Sequence, residues 1–388
     1  MTFVPIHIRN RYKEKKDMRR IFTLLLLCVV GMSIWAATTI RMGVLLPLKE
    51  HTNRGTMMVE LYRGLLMAVE QVKAEGTSVE VFAFDCGTTP SAISEVLKNK
   101  QLERLDVLFG PADASQVATL STFCQQHGIR MVLPFNTPCP QIYGNPWIYQ
   151  AGVSQELLYP GVTSLVLENL SNSNFVMCVS GEDDSRGRSF MNHLDQVLGL
   201  RGMQTSRLNV NVDELGYEMS LNQFRNNVII MDSRSHSALN KLLTGVKAFM
   251  AQHPQYKVTL LGYPEWATYT NTALKDFYQF DTYVFSPYYR NPLSGRVVKF
   301  EQRYRQNFGS ASRNVFPRAE MIGYDLGYYF LHGLGMYGSQ FDEMQGALEY
   351  QPVQNYFKFQ RVGDQGGFVN LHVQLVHYTT NNTIQVIK

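Results

Sequence analysis

From Ile40 onward the chain alternates short apolar runs with helix-length segments, joined by connections of a few residues. IRMGVLLPL (Ile40 to Leu48), VEVFAFD (Val79 to Asp85), DVLFGP (from Asp106) and IRMVLPF (Ile129 to Phe135) read as strands. A helix is expected over about Met57 to Ala74, where Leu61, Leu65, Ala68, Val69 and Val72 recur at helical spacing. Thr89 and Pro90 suit the cap and first position of a second helix. A third, SQVATLSTFCQQHG from Ser115, is stopped by Gly128. Strands this uniformly apolar are buried on both faces, and a helix between successive strands lets them run parallel. The pattern then restarts with WIYQAG, a helix from about Glu156 to Asn169, NFVMCVS, and a helix from Arg188 to Leu198. NNVIIMD, a helix from Ser237 to Gln252, and YKVTLLG follow, then a helical stretch from Ala319 to Tyr337 and a strand-rich tail from Phe357. In 388 residues this predicts an α/β protein with two doubly wound parallel-sheet halves.

The N-terminus follows other rules. Residues 1–20 hold seven basic and two acidic side chains, a net of +5, so against a total of +4 the remainder sums to −1. A nearly neutral body removes the electrostatic support for nucleic-acid binding. Met18-Arg19-Arg20 followed by IFTLLLLCVVGMSIWAA has the basic start, apolar run and small-residue end of a secretory signal peptide. Cleavage near Ala36 or Ala37 is expected, giving a periplasmic or secreted chain from Thr38; Met18 is an alternative start to Met1. Cys28 leaves with the signal, and Cys86, Cys124, Cys139 and Cys178 remain, either paired or as buried thiols. They lack C-x-x-C spacing, which argues against a zinc or redox site.

In open α/β sheets ligands bind beyond the carboxyl ends of the strands, where the next helix presents unpaired N–H groups. Five such places carry small, acidic or aromatic groups. They are Asp113, Ala114 and Ser115 after DVLFGP, and Phe135, Asn136 and Thr137 after IRMVLPF. In the second half they are Asp183 and Asp184 in SGEDDSRG, Asp232 and Ser233 in MDSRSHS, and Glu265 and Trp266 in GYPEWATY. Two halves facing each other would make a cleft for a small molecule, with acidic groups for an amine and helix N-termini for a carboxylate. Nucleophile-elbow, zinc-helix, phosphate-loop and dinucleotide motifs are absent, and the nine histidines are scattered. No enzyme activity, cofactor or metal is therefore expected.

Four segments in order resemble the type 1 periplasmic solute-binding proteins of the branched-chain amino-acid receptor-like branch: IRMGVLLPL with GLLMAVEQVKAEG, FDCGTTPSAISEVLKN, VLFGPADASQVATLSTFCQQHGIRMVLPFNT, and GYDLGYYFLHGLGMYG. The resemblance spans nearly all of residues 39–388. It implies two lobes joined by a three-crossing hinge, 38–150 plus 286–345 and 151–285 plus 346–388. It also implies that Ala114, Ser115 and Phe135 to Thr137 grip a ligand's carboxylate and amine, with Glu265 holding the amine. Trp266 and Phe135 depart from the smaller residues of the family, which argues against a free amino acid, and Cys86 lacks the family's disulfide partner near Asp113. The implied function is an exported receptor that closes two lobes on an amino acid, short peptide or related small molecule, for ABC-type uptake or sensing. The alternative is a non-transport envelope protein of the same fold that regulates a cell-wall synthesis partner. A polar triangle of Asp113, Thr137 and Glu265 would favour the first, and a cleft plugged by Phe135 and Trp266 the second.

Overall fold

Two seven-stranded sheets carry the fold, and the computed structural model describes residues 39–309 and 316–388. The proposed signal segment lies outside the described residues. In the first sheet β1 (Ile40–Leu46) lies between β2 (Val79–Asp85) and β3 (Val107–Phe109), followed by β4 (Arg130–Leu133) and β5 (Ile148–Gln150), all parallel. The helices α1 (Asn53–Ala74), α2 (Pro90–Val96) and α3 (Ala114–His127) make the crossovers. Met42, Val44, Leu45 and Leu46 are fully buried, as a strand covered on both faces requires.

The second sheet repeats the plan. β6 (Asn174–Val179) lies between β7 (Thr205–Asn209) and β8 (Asn226–Met231), followed by β9 (Lys257–Gly262) and β10 (Thr282–Ser286). Its crossovers use α4 (Gln155–Leu170), α5 (Ser185–Leu200), α6 (Glu214–Ser220), α7 (His236–Gln252) and α8 (Thr270–Gln279). The chain then returns to the first lobe with α9 (Gly295–Phe308) and α10 (Ala319–Tyr337). There α10 packs against α1 so closely that a Cβ on Gly64 would lie 1.9 Å from the Glu320 carbonyl oxygen, and one on Gly323 2.0 Å from that of Leu61. Only glycine permits that backbone approach.

The tail corrects the expected lobe boundary. Residues 346–388 were expected in the second lobe, but β11 (Phe359–Arg361) and β12 (Phe368–Asn370) join the first sheet, with Phe368 paired to Tyr149 in register and stacked on its ring at 4.5 Å. Only β13 (Gln374–Tyr378) and β14 (Ile384–Ile387) extend the second sheet, antiparallel at its edge. WIYQAG, read as the strand at which the pattern restarts, supplies β5 of the first sheet, within the span 38–150 given to the first lobe. The lobes are therefore joined by crossings at 151–154, 287–294 and 371–373. Asp325 on α10 fixes their surroundings by accepting the backbone N–H groups of Val353, Gln354 and Asn355 at 2.7, 2.8 and 2.7 Å. Asn355 in turn bridges to Tyr288 in the second crossing.

The four cysteines are all free and buried, so of the two alternatives the structure holds thiols. Burial raises each, Cys86 and Cys178 to about 12 and Cys139 to about 11, which makes them poor nucleophiles. Among the described residues no helix is long and apolar enough to cross a membrane.

Candidate functional site

The second lobe concentrates charge where its strands end. Asp184 caps α5 by accepting Gly187 N–H at 3.3 Å, which fixes its carboxylate at the helix start. Arg234, just past β8, reaches it through Nε at 2.9 Å and Nη2 at 3.0 Å. Its Nη1 donates to Glu265 Oε1 at 2.5 Å, so one guanidinium bridges two carboxylates from two different strand ends. Burial works against the Arg234 charge, but the hydrogen bond and charge of Asp184 and the charge of Glu265 outweigh it and raise its pKa. Burial likewise opposes ionisation of Asp184, and Arg234 with backbone N–H groups overcomes it, so its pKa is lowered. Beside them Glu182 accepts the hydroxyls of Ser235 and Ser233, which lower its pKa.

Glu265 stands where the lobes join. Gln155, the first residue of α4 after the first crossing, approaches its Oε1 at 3.5 Å. The raised pKa of Tyr288, in the second crossing, comes from burial and then from the Glu265 charge. The other Glu265 oxygen, Oε2, is buried with no hydrogen-bond partner. A buried acceptor left unpaired costs about 1–3 kcal/mol, more for a charged group, and a donor arriving there recovers it.

The first lobe answers with a smaller cluster. Asp113 caps α3, and its Oδ1 accepts Ser115 N–H at 3.0 Å and Ser115 Oγ at 2.8 Å. Arg54 on α1 donates to Asp113 Oδ2 at 3.2 Å and to the Ala112 carbonyl at 3.0 Å. The Ser115 hydroxyl, with its N–H and Arg54, lowers the Asp113 pKa despite burial. Ala114 and Ser115 are exposed at the helix start, and Gly110 before them needs its positive φ of 127°. After β4, Thr137 is buried, Asn136 is exposed and Phe135 is half-buried against the core of its own lobe.

The expected residues divide accordingly. Asp184 and Glu265 are brought together through Arg234, and Asp113 with Ser115 through their own hydrogen bonds. Asp232 is committed to its own lobe, accepting Ser180 N–H at 2.8 Å and Oγ at 2.6 Å. Ser233 serves Glu182, and Asp183 is an exposed partner of Arg188. Trp266, expected to face a ligand, is 0 % exposed in the core and stacks on Phe277 at 6.0 Å. The indole fills the space that Gly262 leaves, since a Cβ there would lie 2.0 Å from it. The pairing of Asp113, Thr137 and Glu265 is not formed; among the described residues no hydrogen bond joins the two clusters. Arg234 and Arg54 were missed by the sequence reading. Arg234 lies in the quoted loop MDSRSHS between two acidic loops, and charge complementarity was the available signal.

No family model matches the sequence, and no curated protein matches it. Solved structures do match its shape. A Rhodospirillum rubrum protein described as a branched-chain amino acid ABC transporter is 15% identical, with 90% of this chain and 100% of that one covered at a TM-score of 0.61. The fold is that of the type 1 periplasmic binding proteins. A branched-chain amino acid ABC transporter periplasmic ligand-binding protein from Burkholderia xenovorans, 13% identical, covers 90% of this chain and 95% of its own at a TM-score of 0.54. An ABC transporter substrate-binding protein from Sphaerobacter thermophilus, 14% identical, gives 90%, 96% and 0.50. Glu265 lies beside two of the crossings, reached by Gln155 at 3.5 Å and acting through its charge on Tyr288.

Proposed function

We propose that the chain is an exported solute-binding receptor whose lobes close on a polar small molecule bound first at Glu265. The observation that carries this reading is the buried, unpartnered Oε2 of Glu265 beside the crossings. A closed state that supplies a ligand N–H or O–H to that oxygen gains a charge-assisted hydrogen bond that the unliganded protein lacks. The charge of Arg234 already meets the other oxygen, and Asp113 already takes the Ser115 N–H at the start of α3. An ammonium, amide or hydroxyl donor can therefore dock on the free Glu265 oxygen without breaking a resident contact, whereas a ligand carboxylate finds the Ser115 N–H already taken by Asp113. Phe135 and Trp266 both pack into their own lobes, which leaves the place beside Glu265 without the plug that the envelope-regulator alternative requires. Export and delivery to an ABC permease complete the proposal.

The test is a thermal-shift screen of the chain from Thr38 against amino acids, short peptides and muropeptides. A ligand of the native state raises the melting temperature as its concentration rises. The expected result is a shift that Glu265→Gln abolishes while the unliganded melting temperature stays within a few degrees of the parent. A folded protein, free of co-purified ligand, that responds to no compound argues against a receptor.

A further inference from the structure

Away from the strand ends, α9 turns three cations toward one hollow. Arg296, Lys299 and Arg303 stand three and four residues apart, so they share a helix face. Together with Tyr324 of α10 they line a cavity of about 450 Å³ whose apolar side is made by Met67 and Phe300. Sites for small organic ligands occupy about 300–1,000 Å³.

The cations are poorly matched by acid. Arg296 donates to the neutral Gln351 amide oxygen at 2.7 Å. Arg303 donates to Gln71 at 2.9 Å, and its only carboxylate among the described residues is Glu70, at 3.4 Å and shared with Asn307. Lys299 has no hydrogen bond or ion pair recorded among the described residues, and it is exposed. Other acids of the packed elements have partners of their own. Asp325 holds three backbone N–H groups, Glu75 accepts from Gln71 and faces Tyr328 and His332, and Glu301 binds Arg290 and Arg318. Of the three cations only Arg303 meets a carboxylate directly, while the buried Asp325 acts on Arg296 through its charge, so positive charge exceeds negative around a concave, partly apolar space.

We propose that this hollow binds a phosphate monoester. The dianionic group would lie between Arg296, Lys299 and Arg303, because planar guanidinium forks bind phosphate oxygens in pairs and an ammonium adds a point charge. The ester's organic part would rest on Tyr324, Phe300 and Met67. Such a group belongs either to a soluble ester or to the headgroup of an anionic lipid. The site is independent of the proposed cleft at Glu265.

Calorimetric titration of the chain from Thr38 with phenyl phosphate, and sedimentation with phosphatidylcholine vesicles carrying phosphatidic acid, test it. Arg296 and Lys299 are exposed, so Arg296→Gln and Lys299→Gln should keep the melting temperature. The expected result is binding of phenyl phosphate but not phenol, weakened roughly tenfold by either substitution and unchanged by Glu265→Gln. Vesicle binding without phenyl phosphate binding, lost in the same variants, assigns the phosphate to a lipid. Failure of both probes overturns the proposal, as does binding that the double variant leaves intact, which marks an adventitious ion only.

Discussion

The two lobes place ionic clusters at the same topological position, past the ends of parallel strands, yet they satisfy them differently. In the first lobe Asp113 spends one oxygen on Ser115 and the other on Arg54, and its charge is complete within its own neighbourhood. In the second, Arg234 spans Asp184 and Glu265, and one Glu265 oxygen remains buried and unmatched. The first cluster is complete without a ligand, whereas the second has one oxygen at which the proposed ligand would supply a donor. The second lobe is accordingly the ligand's first contact in this account, and the first lobe is the surface that closes over it.

The largest expected effect that can break this comparison is on Arg234. Arg234→Met leaves Asp184 and Glu265 partly buried without their shared cation and should destabilise the protein by about 3 kcal/mol. Urea unfolding measures it, and an unchanged midpoint would show that the bridge contributes nothing. The next concerns the junction between the lobes. His372, in the third crossing, is buried beside Tyr356 at 5.3 Å, and burial lowers its pKa from 6.5 to about 4. The folded state thus prefers the neutral ring. The stability this gives is fully present above pH 6.5 and is lost as pH falls toward 4, about 2 kcal/mol between pH 7 and pH 5. Burial lowers His193 too, in the same sense. Asp113 and Asp184 act in a lower window, because their depressed pKa values give stability above 3.8 that is lost as pH falls further. His372→Gln should flatten the upper window and leave the lower one in place, and melting curves across pH separate the two.

Smaller effects sharpen the contrast. Asp113→Ala removes a helix cap and an exposed ion pair, for about 1 kcal/mol and no change in the intrinsic affinity of the second-lobe cluster. Denaturation and titration on the same variant would reveal whether the first lobe matters more than this. Glu265→Gln should change stability least, by less than about 1 kcal/mol, while removing most ligand affinity. Equal loss of binding from Asp113→Ala and Glu265→Gln would erase the distinction between the lobes.

Much of this was legible in the sequence, for identifiable reasons. Apolar runs such as VLF and NVIIM are strands buried on both faces, and nothing else in the chain competes with that pattern. Asp184 and Glu265 were visible as acids at strand ends. Their partner was not, because Arg234 meets Asp184 across 50 positions and Glu265 across 31, and only the sheet brings those loops together. Trp266 misled because an aromatic at a strand end reads as ligand-facing; the bare backbone of Gly262 let the indole fold back into the core. The tail misled because three-residue strands such as FQR and FVN carry no mark of which sheet they will join, and the stacking of Phe368 on Tyr149 goes with the first.

The most direct measurement of the central claim is small-angle X-ray scattering on the chain from Thr38, with and without the compound that gives the largest thermal shift. The account predicts that the compound reduces the radius of gyration of the parent protein, as lobes closing on three crossings must, and leaves Glu265→Gln unchanged at the same concentration. Saturating binding with no change in the radius of gyration would contradict it.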